Sequence, residues 1–571
     1  MPTRTQASAG VTDPALAALL EEHWALRMAR SPFWATRLGD HRFDDQLGSV
    51  SATQRAQDQA HDDALLARAE ALALAGRDEI VRQVLVAGLR SEGAVRACDF
   101  PSWSFSPRRN PLAFFNSVAE LHPIRTPEDA ENLVARVRAM PGYLGDVVAN
   151  LRAGAGAGRF NNATSTRLVL QMIDDQLDQP LDRWPLLAPL TVEHPDWSDA
   201  DRARLQADLT AAVDVGVRPA LVRWGDVLRD EILPSARDDD APGLASLPGG
   251  DACYAALVGR FTTLPERDAA SIHTQGLDQL AKVHAEFVAL GGPTLGTAEL
   301  PAIFARLRTD PDLRFETAEQ VEDKARSALA RAQAVVPPAF GVLPQADCVV
   351  KRVPDYQAPY TTIAYYRRPV PDGSMPGAYY VNVHEPETRP RHEAEVLAYH
   401  EAVPGHHLQI AIAQELPDTP AFLRYAGMTA YIEGWALYSE RLADELGLYT
   451  ADTDRLGMLS YDAWRSARLV VDTGLHHLGW SRQQAIDFMM ENTPLAANNI
   501  VNEVDRYITT PGQALAYKTG QLEILRLRAL AQAALGDAFS LSDFHDVVLG
   551  SGAVTLPVLE GLVQAWIASA S

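Results

Sequence analysis

One stretch of the sequence decides how the rest is interpreted: His400-Glu401-Ala402-Val403-Pro404-Gly405-His406-His407-Leu408-Gln409. A histidine followed directly by a glutamate, with further histidines close behind, is typical of zinc hydrolases. In such sites histidines bind the metal and the glutamate activates water. The common motif, H-E-x-x-H, places its two histidines four residues apart on one helix face. Here the second histidine comes six or seven residues after the first.

A continuous helix cannot bring these histidines to one metal ion. His406 would lie about 240° around the axis from His400, and His407 would lie about 10 Å further along the same face. Pro404 cannot continue the hydrogen bonding of a helix, and Gly405 can adopt backbone angles that are closed to other residues. The sequence therefore predicts a break at these two residues that returns either His406 or His407 to the side of His400. The alternative is a helix that ends in a turn, with scattered surface histidines.

The composition limits the class of protein. Of the 571 residues, 47% are hydrophobic and 22% are charged, as in globular proteins. A net charge of −23 argues against a nucleic-acid or anionic-membrane partner. We expect a cytoplasmic protein, because the start of the sequence lacks the apolar core of a signal peptide and no apolar run could span a bilayer. Cys98, Cys253 and Cys348 are far apart and are interpreted as buried thiols in a reducing compartment.

Helical patterns cover most of the chain. They predict an N-terminal helical region at residues 1–240 and a catalytic helical region at residues 245–571, joined by the turn-forming segment Arg237–Gly243. Within about residues 346–382, runs of β-branched and aromatic residues alternate with Pro/Gly turns and predict a small sheet just before His400. The predicted fold is mainly α, with helical halves that form one unit around a central cleft and a small sheet beside the metal-binding helix.

A third metal ligand is expected from a separate helix, within Ala430–Glu440. Glu433 and Glu440 are seven residues apart and so lie on nearly the same face. Glu433 has the more apolar neighbours, and a carboxylate in such surroundings favours a nearby cation. We therefore prefer Glu433 as the ligand and interpret Glu440 as a supporting or surface group. The alternative is that both are ordinary surface charges.

Two later segments contain groups that suit the chemistry of such a site. Arg468, Asp472 and His476 recur every four residues and line one stripe of a helix, so that His476 could donate a hydrogen bond to a developing oxyanion. The stripe could equally be a structural ion-pair network. Further on, Tyr517 could stabilise the same oxyanion. The cations nearby, which could pair with a substrate carboxylate, are Arg506 and Lys518.

Together these segments resemble the bacterial domain-of-unknown-function family numbered 885. Its motifs H-E-x-x-P-G-H-x-x-Q, E-G-W-A-L-Y, R-L-V-V-D-T-G-L-H and P-G-Q-A-L-A-Y-K correspond to His400–Gln409, Glu433–Tyr438, Arg468–His476 and Pro511–Lys518. The resemblance covers nearly the whole chain and is most specific from about residue 345 to 530. The family in turn looks like a distant relative of helical clam-shell zinc peptidases such as thimet oligopeptidase and angiotensin-converting enzyme.

That resemblance implies a multi-helix clam-shell and a set of roles. One zinc ion per chain would be bound by His400, His406 and Glu433, with Glu401 as the general base. The roles of oxyanion donors would fall to His476 and Tyr517. The small sheet would present an edge strand to an extended substrate, which points to Tyr380 and Asn382 as substrate-binding residues. The Pro-Gly insertion is absent from those peptidases, so the choice between His406 and His407 stays open; we favour His406.

The sequence thus predicts a zinc-dependent hydrolase that cleaves amide bonds of short peptides or peptide-like molecules. A zinc-dependent lyase or a tailoring hydrolase of a biosynthetic pathway would need the same groups. A helical binding protein with structural histidines is the non-catalytic alternative. The expected partner is a small peptide-like substrate, with neither nucleic acid nor a membrane.

Overall fold

A computed structural model of the chain describes residues 7–354, 358, 363–370, 375–425 and 427–570. The chain divides into two compact units. Unit 1 comprises residues 1–74 and 88–253, and unit 2 comprises residues 75–87 and 254–571. The predicted boundary at residues 240–245 therefore lies a few residues before the end of unit 1.

Unit 1 is helical throughout its described part. Its helices, including two that also contribute residues to unit 2 (α4 and α10), are α1 Pro14–Arg30, α2 Pro32–Arg37, α3 Ala52–Glu70, α4 Gly76–Val95, α5 Pro111–Leu121, α6 Pro127–Gly156, α7 Ala163–Asp178, α8 Asp199–Ala211, α9 Arg218–Val227 and α10 Gly250–Thr262. Several begin at a residue whose side chain accepts a backbone N–H, as Asp13, Thr126 and Asn162 do. Their apolar faces enclose one core around Phe115 and Trp224.

The prediction that the cysteines are free thiols is wrong for two of them. Cys98 and Cys253, both buried in unit 1, form a disulfide across 155 residues of sequence. Cys348 is a buried free thiol, as predicted. No sequence spacing marks the pair, because the fold alone brings the two cysteines together.

Unit 2 is also mainly helical and contains the sheet. After α10 its elements are α11 Ala269–Leu295, α12 Leu300–Thr309, α13 Ala318–Val335, β1 Cys348–Arg352, β2 Ala364–Arg367, β3 Gly377–Val381, α14 Ala394–Glu401, α15 His406–Glu415, α16 Ala421–Arg424, α17 Thr429–Glu445, α18 Asp452–His476, α19 Arg482–Asn492, α20 Ala497–Thr509, α21 Ala516–Leu535, α22 Leu541–Leu549 and α23 Leu556–Ala570.

The sheet lies directly before α14, where the sequence predicts it. Its strand order is β1-β3-β2, with β3 parallel to β1 and antiparallel to β2. Residues 361–362, which the sequence includes in the second strand, lie outside the described residues. Because β3 pairs on both sides, it is the central strand of the sheet.

Two pairs of helices in unit 2 are packed most extensively, α11 with α18 and α17 with α21. The second pair meets at Gly434 and Gly520. A Cβ atom at Gly434 would lie 2.5 Å from the backbone of Gly520, and one at Gly520 would lie 1.9 Å from the carbonyl oxygen of Ala430. Only glycine allows the two helices to approach so closely, which brings the Glu433 and Tyr517 segments together.

The mainly α fold with one small sheet is confirmed, while the clam-shell arrangement stays a prediction. In the described part of the chain, no single helix is long and apolar enough to cross a bilayer. Helices α11 and α12 are long and apolar enough only when taken together, and a bend of 63° separates them.

Candidate metal centre

His400, His406 and Glu433 converge in unit 2, with their ligand atoms within 4.8 Å of one another. The carboxylate oxygen Oε2 of Glu433 lies 3.7 Å from Nε2 of His400 and 3.4 Å from Nε2 of His406. The two imidazole rings are nearly perpendicular, at 84°. Ligand atoms at about 2.0–2.1 Å from a tetrahedral zinc ion are about 3.4 Å apart. The spacing and the donor types, two nitrogens and one carboxylate oxygen, therefore fit the metal that the sequence predicts.

The break in the helix lies where the sequence predicts it. Helix α14 ends at Glu401, α15 begins at His406, and the Val403–Pro404 peptide bond between them is cis. The Pro404 carbonyl, which lies in the turn between the two helices, accepts hydrogen bonds from the Trp435 indole at 2.9 Å and the Ser439 hydroxyl at 3.2 Å. The break is thus anchored to α17, the helix that provides Glu433.

Gly405 is required by a close approach within this break. A Cβ atom at this position would lie 2.0 Å from the carbonyl oxygen of His400 and 2.4 Å from that of Tyr399. The chain folds back onto the last turn of α14 at this point, which brings His406 beside His400.

His407 lies away from the three converging groups, against the sheet. Its Nε2 donates to the Ala346 carbonyl at 3.0 Å, and its Nδ1 accepts from the Tyr366 hydroxyl at 3.1 Å. Burial lowers the pKa of His407 to about 4, so the ring is neutral. Both ring nitrogens are used, and the structure places His406 rather than His407 beside Glu433.

Glu440 lies behind His400 and orients it. Nδ1 of His400 donates to Oε1 of Glu440 at 2.7 Å, so the hydrogen-free nitrogen of the neutral ring is Nε2, which faces Glu433. Both residues are buried, and the guanidinium of Arg465 lies 3.7 Å from the same carboxylate oxygen. The sequence leaves Glu440 as a supporting or surface group; the structure places it in support of a candidate ligand.

The three groups influence one another electrostatically. Burial disfavours a charged His400, but the nearby carboxylates of Glu433 and Glu440 raise its pKa to about 9, so a cation at Nε2 would take the place of a second proton. Burial likewise disfavours a charged Glu433, yet the two adjacent histidines hold its pKa well below the usual range. A carboxylate that stays ionised beside two imidazoles is the environment in which a divalent cation binds.

Glu401, the predicted base, is the last residue of α14 and is half-buried. It lies near the central strand of the sheet: burial and then the charge of Glu401 raise the pKa of the Tyr379 phenol. Tyr379 is fully buried.

Tyr517 lies beside Glu433, on α21. Burial raises the pKa of its phenol, and the charge of Glu433 raises it further, so the hydroxyl keeps its proton. The hydroxyl oxygen accepts from the Gln513 amide at 3.2 Å, which leaves its hydrogen available. Gln513 is held in turn by Arg506, whose Nη1 donates to Oε1 of Gln513 at 2.6 Å. The guanidinium of Arg506 also pairs with Glu503 at 2.8 Å.

His476 and Lys518, which the sequence also predicts as site residues, are buried and contact other groups of unit 2. His476 is fully buried, and its Nε2 donates to the Tyr507 carbonyl at 3.0 Å. Arg468 pairs with Glu503 at 3.0 Å, while Asp472 accepts from the Tyr254 hydroxyl at 2.6 Å. The buried Lys518 forms an ion pair with Asp462.

Tyr380 and Asn382 lie on or directly after β3. Tyr380 is half-buried and stacks on Tyr365, with ring centroids 4.8 Å apart. Asn382 is buried, and its amide donates to the Ala358 carbonyl at 2.8 Å. Since β3 is central, the strands with a free edge in the described part of the sheet are β1 and β2. An extended substrate would pair with one of those two rather than with β3.

Sequence reasoning missed Gln513, Arg465 and Tyr379 as neighbours of the site. Gln513 lies four residues before Tyr517, and residues at that spacing in a helix contact each other. No comparable signal marks Arg465 or Tyr379, which reach the site from distant parts of the chain.

The comparisons with known proteins agree with this fold and do not name an activity. A family model described as "Bacterial protein of unknown function (DUF885)" matches residues 32–563. No curated protein matches the chain.

Two solved structures are similar over nearly the whole length. One is a candidate lipoprotein from Colwellia psychrerythraea, with 27% identity and a TM-score of 0.87; the alignment covers 97% of this chain and 99% of that one. The other is a candidate lipoprotein of unknown function from Shewanella oneidensis, with 18% identity and a TM-score of 0.71. It covers 96% of this chain and 99% of that one, and supports the fold alone.

Proposed function

The protein belongs to the DUF885 family of bacterial proteins, and from the convergence of His400, His406 and Glu433 we propose that it is a zinc-dependent hydrolase of amide bonds in short peptides or peptide-like substrates. That convergence is the single observation on which the proposal rests. The convergence depends on the break between α14 and α15, on the buried carboxylate of Glu440 and on the close crossing of α17 and α21. A pair of histidines with a purely structural role would not need all three features.

In this proposal a zinc ion would be held by His400, His406 and Glu433. When bound, zinc supplies a Lewis acid that polarises the scissile carbonyl and makes water more acidic. The hydrogen bond from His400 to Glu440 fixes the ring so that Nε2 faces the metal position.

Glu401 acts as the proton carrier. It lies next to His400 in the chain and half-exposed at the end of α14, so its carboxylate takes a proton from the attacking water. The same carboxylate then passes this proton to the leaving amine nitrogen.

Tyr517 donates the hydrogen bond that steadies the developing oxyanion. Its raised pKa keeps the phenol protonated, and the Gln513 amide donates a hydrogen bond to the hydroxyl oxygen. Arg506 acts through Gln513 as a positioning residue.

We also propose that the protein works in an oxidising compartment outside the cytoplasm, in place of the cytoplasmic location expected from the sequence. The Cys98–Cys253 disulfide supports this, because such bonds persist mainly outside reducing compartments. The similar Colwellia psychrerythraea protein is a candidate lipoprotein, which points the same way.

The test combines metal analysis with one isosteric variant. Protein purified without chelators is expected to contain about one zinc ion per chain and to cleave members of a panel of dipeptides and blocked peptides. Glu401→Gln is expected to keep the metal and to lower turnover by about 10²–10⁴-fold. Glu491→Gln, at an exposed position of α19, is the matched control and should leave turnover unchanged.

The proposal fails if the protein contains no metal or if Glu401→Gln keeps full turnover. Cleavage in ¹⁸O-labelled water distinguishes the reaction classes: a hydrolase places solvent oxygen in the new carboxylate, whereas a lyase does not.

A further inference from the structure

Unit 1 contains a cavity that has no part in the proposed reaction. Its volume is about 580 Å³, and all of its lining residues belong to unit 1. Cavities of this size bind small organic molecules. The lining is aromatic on one side, where Phe33 and Phe114 are 5.8 Å apart, as are Phe114 and Tyr143. These three side chains are only half-buried.

The charges around this cavity are of one sign. Arg37, Arg108 and Arg109 line it with exposed side chains, and no aspartate or glutamate is among the lining residues. Within the described ranges, none of the three guanidinium groups forms an ion pair, although most exposed arginines of unit 1 do, as Arg138 and Arg152 illustrate. A local excess of three positive charges in a chain of net charge −23 attracts an anion.

A buried donor without a partner also lines the cavity. Trp224 is fully buried, and its indole Nε1–H has no hydrogen-bond partner among the residues that the structure describes. Leaving a buried donor unpaired costs free energy, so an acceptor from a ligand would stabilise this arrangement.

We propose that the cavity in unit 1 binds a small organic carboxylate whose body is aromatic or branched and apolar. The apolar body would pack among Phe33, Phe114 and Tyr143, since offset aromatic contacts favour flat rings. The carboxylate would pair with the arginines at the opening, where planar guanidinium groups match carboxylate geometry. An oxygen or nitrogen acceptor on the ligand body would reach the Trp224 indole.

The test uses the full chain and one matched pair of probes, 4-(4-methoxyphenyl)butyrate, whose ether oxygen is the acceptor for the Trp224 indole, and its neutral amide. Titration calorimetry is expected to give saturable binding of the carboxylate with a Kd below about 1 mM, and binding of the amide at least about tenfold weaker. The double variant Arg108→Glu/Arg109→Glu should weaken carboxylate binding by at least about tenfold. Arg167→Glu, exposed on α7 and outside the lining, should change it by less than about twofold.

A second variant narrows the cavity without changing its charge. Ser117→Phe adds an aromatic ring from a lining position, which takes up only part of the cavity. It is expected to weaken carboxylate binding by at least about tenfold, while thermal unfolding reports whether the fold is retained. The proposal is overturned if 4-(4-methoxyphenyl)butyrate does not bind, if its amide binds equally well, or if binding is unchanged in both the arginine double variant and a folded Ser117→Phe protein. Binding that is lost on Glu433→Ala but kept in the arginine double variant would place the ligand at the metal centre and would also overturn it.

Discussion

One candidate ligand in unit 2, His400, is held by a side chain from outside the group of three. His400 donates to Glu440, which lies beside Arg465, and the carboxylate of Glu433 faces two imidazoles. Such outer partners fix the orientation of a ligand and increase its basicity. These contacts also explain why Glu440, seven residues after the candidate ligand Glu433, is buried rather than solvated.

Glu440→Gln is therefore expected to lower zinc affinity about tenfold, because a neutral amide accepts more weakly from His400 and no longer balances its charge. Competition with a chromophoric chelator measures this. Glu445→Gln, on the same helix but paired with Arg528 at the surface, should have no effect. Equal affinities for the two variants would contradict the role of Glu440.

Tyr517→Phe tests the oxyanion donor. Loss of one preorganised donor lowers kcat by about 10²–10³-fold, and zinc content should stay unchanged. Gln513→Ala should have a smaller effect on kcat, because Gln513 acts only by orienting the hydroxyl. A larger loss in Gln513→Ala than in Tyr517→Phe would show that the assignment of roles is reversed.

At the residue scale, the candidate ligands could be recognised from the sequence, but the hydrogen-bond partners of each could not. His400, Glu401 and Glu433 are recognisable because H-E is a motif and because a carboxylate among apolar residues favours a cation. The four-residue spacing of Asp472 and His476 predicted that His476 donates a hydrogen bond to an oxyanion. The structure instead commits its Nε2 to a backbone carbonyl of another helix, 31 residues away.

At the scale of elements, the break between α14 and α15 is the decisive feature. Gly405→Ala would place a methyl group 2.0 Å from the His400 carbonyl oxygen, and the backbone must shift to relieve the clash. We expect a loss of about 1–3 kcal/mol in the free energy of unfolding and at least a tenfold loss of zinc affinity. Thermal unfolding and chelator competition measure the two effects.

Gly561→Ala is the matched control for that substitution. A Cβ atom there meets open space on α23, so the change should be neutral or slightly stabilising. A Gly405→Ala protein with normal stability and normal zinc affinity would show that the close approach is not needed.

The break and the strand runs were predictable because both depend on local chemistry, namely proline, glycine and β-branched residues. The order of the strands was not. Which strand is central depends on pairing between segments that are far apart in the chain, and Tyr380 therefore lies on a strand paired on both sides instead of on an edge.

For the whole molecule, the disulfide is the feature with the most direct test. Thiol titration of denatured, unreduced protein should find one free thiol, that of Cys348, and three after reduction. Replacing both Cys98 and Cys253 with serine should lower the free energy of unfolding by about 2–5 kcal/mol, because a long loop in the unfolded chain is no longer closed. Finding three thiols before reduction would exclude the bond.

The crossing of α17 and α21 has a consequence for how the centre operates. Since the two backbones touch at Gly434 and Gly520, the separation of Glu433 and Tyr517 is set by main-chain contact and not by flexible side chains. The candidate metal-binding carboxylate and the proposed oxyanion donor are then preassembled, and the proposed reaction would need little reorganisation energy when a substrate binds. In such a site the free-energy cost of alignment is met during folding rather than in each catalytic cycle.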